Sequence, residues 1–218
     1  MELLFASIIQ GALDFFLKGG FFMVILLVVS VLAGTVIVLR SAALREKAIL
    51  PPDLADEIER LQPGDDLDKL ERLILRNPSS LARILSTLLQ HLGWSRAEAL
   101  EAVQTRARHE VARLESGLVI LEITTGIAPL LGLLGTLSGL VGIFAAIGTD
   151  PVAVARGIAE ALNTTIVGLA VAVPSLITFN YFQRRIEIMA VEMESLVADL
   201  IVKCYPPGAT PVVEAVSS

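Results

Sequence analysis

Three long apolar stretches organise this chain, separated by segments in which polar and apolar positions alternate with a helical period. Gly20 to Leu39 carries 20 residues without a charge. A helix rising 1.5 Å per residue needs about that length to cross ~30 Å of hydrocarbon. A second run extends from Gly117 to Ile147 and is interrupted only by Glu122. The third runs from about Val152 to Phe182. Both later runs are longer than a bilayer requires, so tilt or projection into water is expected.

The intervening residues 41–116 are punctuated by Pro51-Pro52, Pro63-Gly64 and Asn77-Pro78 into short helical pieces. Leu54, Ile58 and Leu61 share one helical face, as do Leu67, Leu70, Leu73 and Ile74. Ser95 with Glu98 forms a capping box that opens a longer helix. No breaker follows until Gly117, so one helix is predicted from Ser95 to Ile147, about 80 Å long. The third span is predicted to continue to about Cys204, because Ile186, Met189, Val191, Met193 and Leu196 keep it amphipathic.

The pattern predicts an all-α, polytopic membrane protein with three transmembrane helices. Two of them are long and extend into the cytoplasm, and short cytoplasmic helices complete the fold. The predicted order starts with an interfacial amphipathic helix at 1–19, the first span at 20–40 and a cytoplasmic helical region at 41–116. The second span follows at 117–147, an outer loop at 148–151 and the third span at 152–183. A cytoplasmic extension at 184–205 leads to a disordered tail at 206–218. Glu2 in place of a basic cluster argues against a cleaved signal.

Composition supports this picture. Hydrophobic residues make up 54% of the chain and the mean hydropathy is +0.72, far above an ordinary soluble domain. The net charge of −6 with no basic run offers no face for nucleic acid. His91 and His109 lack metal-ligand spacing, and the single Cys204 has no internal disulfide partner. No nucleophile–base pair or phosphate-binding glycine loop is visible, so neither an enzyme nor a cofactor or metal protein is expected.

Orientation follows from basic residues near the span ends. Arg40, Arg45, Lys47, Arg106, Arg108, Arg113, Arg184 and Arg185 lie on one side, against Lys18 and Arg156 on the other. The N-terminus is therefore expected outside and the C-terminus in the cytoplasm. The single short outer connection leaves no material for a receptor or ectoenzyme.

Candidate chemistry centres on Glu160, the one charged side chain between Gly157 and Phe182. A carboxylate at membrane depth costs roughly 2.5–3.5 kcal/mol or more, so it persists where it faces protein interior or a wet cavity. Asn163, Thr164 and Thr165 follow it, and the second span contributes Thr136 and Ser138. Taken singly, such hydroxyls are often bonded to their own helix one turn back. Grouped near one carboxylate, they suggest a lined path for a proton or ion. Gly132, Gly135, Gly139 and Gly142 make one smooth face that admits close helix approach, and Gly168 gives the third span a similar stripe. Pro129 and Pro174 each remove a backbone hydrogen bond, either as passive kinks or to shape a cavity. Glu122 is read as interfacial.

Two segments carry a resemblance: Ala128-Pro129-Leu-Leu-Gly132-Leu-Leu-Gly135-Thr136-Leu-Ser-Gly139, and Gly157-Ile-Ala-Glu160-Ala-Leu-Asn-Thr-Thr165-Ile-Val-Gly168 through Pro174 and Asn180-Tyr-Phe. They resemble the MotA/TolQ/ExbB proton-channel family, more closely its TolQ/ExbB branch. The first span matches more loosely. The resemblance implies a homopentamer whose second and third spans line a central pore. It also implies a dimer of a single-span ExbD/TolR-like partner in that pore, and a TonB- or TolA-like protein as a further partner. By position, Thr136 and Thr165 match pore-facing threonines and Glu160 the third-span glutamate; Thr164, one turn from Glu160, joins them as a pore-lining candidate. Such a complex in the bacterial inner membrane couples the proton motive force to an outer-membrane process such as TonB-dependent import. Arg40 is a departure, since many relatives carry an acidic residue there. The competing reading is a non-conducting structural scaffold that uses the glycine stripes for assembly. A solute transporter is disfavoured because three spans without repeats offer no alternating-access design.

Overall fold

The computed structural model describes residues 20–144 and 151–205. The expected interfacial helix at 1–19, most of the outer loop and the tail at 206–218 lie outside the described residues. Every regular element among the described residues is helical. In chain order these are α1 Gly20–Ala43, α2 Glu46–Ile49, α3 Pro52–Arg60, α4 Asp68–Arg76, α5 Ser80–Gln90, α6 Arg96–Glu115, α7 Val119–Phe144 and α8 Pro151–Cys204. Helices α1, α7 and α8 are each long and apolar enough to cross a membrane. The extension of the third span to Cys204 is observed as one helix of 54 residues, opened by Pro151 at its first position.

Two compact units divide the described residues. The first comprises 20–39 with 118–144 and 151–181; the second comprises 40–117 with 182–205.

In the first unit α7 and α8 approach to backbone contact. A Cβ on Gly168 would lie 2.6 Å from the Ala128 carbonyl oxygen and 3.1 Å from the Gly132 Cα. A Cβ on Gly132 would lie 2.9 Å from the Thr164 carbonyl oxygen. No side chain larger than hydrogen fits at this crossing. Helix α1 joins it through Leu26, which is fully buried with Ala128 and Ala172 against Leu131, Val167 and Val171. Outward-facing residues such as Phe21, Val31, Leu39, Leu130, Val141 and Ile166 are exposed and apolar. That surface suits lipid or neighbouring helices.

The second unit is a small helical domain with a conventional core. Leu54, Ile58 and Leu61 of α3 and its C-cap are buried, as are Leu70 and Ile74 of α4 and most of α5. The capping box is present: Ser95 Oγ accepts from Glu98 N and the Glu98 carboxylate accepts from Ser95 N. The helix it opens does not run uninterrupted into the second span. Residues 116–118 form a turn between α6 and α7. Arg40 accounts for this break. Its guanidinium donates to the Leu114 carbonyl and the Ser116 hydroxyl, capping the C-terminal end of α6 with a cation. It lies over Gly117, where a Cβ would overlap it. Lys203 does the same for α3, donating to the Ile58 carbonyl at 2.7 Å while pairing with Asp199.

Helices α5 and α6 are tied by a buried charge. Glu110 is 1% exposed. Arg83 reaches both its carboxylate oxygens, at 2.9 and 2.8 Å, and Arg106 pairs at 3.1 Å. Burial alone would raise the Glu110 pKa. The hydrogen bond and charge of Arg83, with the Arg106 charge and the Ser80 hydroxyl, outweigh it and hold the carboxyl below its usual range. A carboxyl depressed on folding adds stability above its unfolded pKa of about 4.3, and that stability is lost as pH falls through the lower folded value.

Two outcomes follow. Glu110→Gln is expected to destabilise the protein by roughly 3 kcal/mol near neutral pH, because it leaves two guanidinium groups short of a counter-charge. The gap to wild type should narrow below about pH 4, as read by thermal unfolding in mild detergent across pH 3–7. Gly168→Val is expected to abolish the folded first unit or lower its melting temperature sharply, since the added atoms meet backbone. Gly142→Ala meets nothing within 4 Å in the protomer and should stay within about 0.5 kcal/mol of wild type.

Candidate functional site

The polar residues singled out in the spans converge where α7 crosses α8. Thr136 on α7 and Thr165 on α8 share a short hydroxyl–hydroxyl hydrogen bond. Each also has a backbone carbonyl of the other helix within 3.2 Å: Thr136 Oγ1 that of Ala161, and Thr165 Oγ1 that of Gly132. The Thr136 hydroxyl lies 3.1 Å from the Gly132 carbonyl of its own helix as well. A two-hydroxyl, two-carbonyl cluster thus bridges the crossing, and the glycine contacts make it reachable.

The members differ in access. Thr136 is 8% exposed and sits behind Thr165, which is half-buried. Thr164 is 1% exposed, and its hydroxyl donates to the Ala161 carbonyl at 2.6 Å. Its side chain fills the space over Gly135, where a Cβ would meet it at 2.8 Å. The expectation that Thr164 lines a pore is therefore corrected: it is a packing residue. The sequence groups Thr164 with Thr165, but adjacent helical positions point about 100° apart, and only one of the pair can face outward.

Gly132, Gly135, Gly139 and Gly168 all lie on the α7–α8 seam, with Ala161 against Gly139. Gly142 does not; it faces open space. Pro129 and Pro174 both lie inside intact helices. Nearby hydroxyls return to the backbone, Ser175 to the Val171 carbonyl and Thr178 to the Pro174 carbonyl, each at 2.8 Å.

Glu160 lies one turn from Thr164 and borders a recess of about 260 Å³. Gly20, Phe21 and Phe22 of α1, Ser138 and Ile143 of α7, and Gly157 of α8 are among its other walls. Ser138 and the start of α1 carry no sequence signal that ties them to Glu160; only the three-helix arrangement does. Among the described residues no group of three or more His, Cys, Asp or Glu is placed to hold a metal ion. Nor is there an activated nucleophile in the spans. The site can orient hydroxyl dipoles and hold one ionisable carboxyl.

Residues 76–195 match the MotA/TolQ/ExbB proton channel family, which is more than half of the 218-residue chain. The chain is 35% identical over 131 residues to an ExbB homolog, described as a biopolymer transport protein, from Methanothermobacter thermautotrophicus. That match covers 59% of this chain and 47% of the relative. It is 31% identical over 189 residues to an ExbB-like biopolymer transport protein of Synechocystis, covering 81% and 72% of the two chains. It is 34% identical over 149 residues to the Tol-Pal system protein TolQ of Pseudomonas aeruginosa, covering 60% and 64%. The chain thus spans about half the length of the archaeal relative and just under two thirds of the TolQ protein. Both crossing helices and their hydroxyl cluster fall inside the family match, and the chain belongs to the MotA/TolQ/ExbB proton channel family.

Proposed function

We propose that this chain is the pentameric, inner-membrane proton-channel subunit of an ExbB/TolQ-type energy-transducing motor. The observation that carries this reading is the Thr136–Thr165 hydroxyl pair at the α7–α8 crossing, close to the one charged side chain of that span. Around it, each protomer contributes α7 and α8 to a central pore. A dimer of a single-span ExbD/TolR-like partner occupies that pore and carries a proton-binding carboxylate. Motion of the partner drives an outer-membrane process through a TonB- or TolA-like protein. The N-terminus lies in the periplasm and the C-terminus in the cytoplasm.

Thr165 is the hydroxyl with access to a pore, and Thr136 holds it in place from behind. A hydroxyl dipole stabilises a passing carboxylate without trapping it as a fixed cation would. Five equivalent rings around two partner helices cannot all be satisfied together, so the partner has several near-equivalent positions. A proton falling through about 100 mV releases roughly 2.3 kcal/mol, more than the ~1.4 kcal/mol that shifts a population tenfold. That suffices to bias steps between such positions. The scaffold reading assigns the same glycines to assembly but gives the hydroxyl pair and Glu160 no task.

Thr165→Val removes the accessible hydroxyl at nearly constant volume. Proton flux through the complex, measured by pH-sensitive dye in proteoliposomes, is expected to fall at least tenfold while subunit composition is retained. Wild-type flux in an assembled Thr165→Val complex favours the scaffold. Glu160→Gln is expected to lower flux to a similar degree; full flux would confine Glu160 to structure.

A further inference from the structure

Glu160 and Ser138 share a property that sets them apart from the other polar side chains of the spans. Thr124, Thr136, Thr164, Thr165 and Ser175 all return their hydroxyls to backbone carbonyls. Among the described residues, no such bond engages Ser138 Oγ, and no donor or cation pairs with the Glu160 carboxylate. Both border the same recess, walled on its far side by Gly20, Phe21 and Phe22. A carboxylate at membrane depth must be paired, neutral or in reach of water. The recess holds about 260 Å³, far above the ~15 Å³ that a single water needs.

Its position in the unit is equally specific. Gly20 opens α1, Ile143 is next to the last residue of α7, and Gly157 lies in the second turn of α8. The recess therefore belongs to the end of the unit where residues 145–150 connect α7 to α8. Its inner end stops at Thr164, whose hydroxyl shares the Ala161 carbonyl with Thr136. At the margins Gly157 lets Ile143 fold over it, and Gly139 lets Ala161 close in, with 2.7 and 2.8 Å left for an added Cβ. The two helices are thus sealed beside the recess but not across it.

We propose that this recess is a hydrated half-channel inside each protomer. Through it protons reach Glu160 from the membrane face that carries residues 145–150, and Ser138 positions the water next to the carboxylate. The proposal rests on the proton-channel reading above and adds a route distinct from the central pore. A hydronium ion in the recess gives its proton to a Glu160 carboxylate oxygen and leaves as water. The proton then departs toward the hydroxyl pair, and the carboxylate is restored.

The test uses the full complex in proteoliposomes, with Cys204→Ser removing the native thiol. Ser138→Cys is treated with a membrane-impermeant cationic methanethiosulfonate on the face bearing residues 145–150, and flux is compared before and after. The expected result is rapid labelling with at least a fivefold loss of flux, reversed by dithiothreitol. Val141→Cys, on the exposed face of α7, should show no such loss. A thiol at 138 that does not react, or reacts without changing flux, overturns the half-channel. Should Ser138→Cys fail to assemble, Phe22→Cys on the opposite wall gives the same reading. If Thr165→Val and Glu160→Gln lose flux but the labelled complex does not, only the recess route is wrong. If all of them conduct normally, the proton-channel reading itself falls.

Discussion

The crossing of α7 and α8 at Gly132 and Gly168 is the contact on which the rest of the first unit depends. With the Ala128 carbonyl oxygen 2.6 Å from where a Cβ on Gly168 would stand, the two backbones meet with nothing between them. Apolar side chains gain little by associating inside a bilayer, because lipid tails are equally apolar. Close dispersion contact and polar bonds between helices must hold the pair instead, and both require small residues at the seam. The threonine cluster is a consequence of that approach. Thr136 can reach the Ala161 carbonyl and Thr165 the Gly132 carbonyl only because the helix axes are this near.

The two units solve opposite problems with the same chain. In the second unit charge is neutralised locally: Glu110 is enclosed by Arg83 and Arg106, and the Arg40 and Lys203 cations finish the C-terminal ends of α6 and α3. In the first unit one carboxyl, Glu160, stands beside a recess without a cation. A paired carboxylate is fixed in its charge state; one with neither cation nor donor is free to exchange protons. This difference separates a structural acid from a transport acid, and it places the functional emphasis on the first unit.

Much of this was legible in the sequence, because helix length, capping and glycine spacing are local and periodic. The three spans, the Ser95–Glu98 box and the long continuation to Cys204 needed no knowledge of the partners each helix meets. What escaped was set by distant residues or by helix rotation. The turn at 116–118 depends on Arg40, 74 positions before the Leu114 carbonyl it caps. Thr164 and Thr165 look equivalent as neighbours, yet one is sealed against Gly135 and the other half-exposed. Gly142 continues the glycine spacing but lies beyond the point where α8 stays close. Ser138 gains its place next to Glu160 only once α1 is set against the pair.

The central claim is a shared pore, and stoichiometry tests it most directly. Native mass spectrometry of the complex, extracted gently from membranes, is expected to give five copies of this chain, accompanied by two copies of a small single-span protein where that partner is retained. A monomer or dimer that persists across several mild detergents would contradict the account, because Thr165 and Glu160 would then have no common lumen to serve.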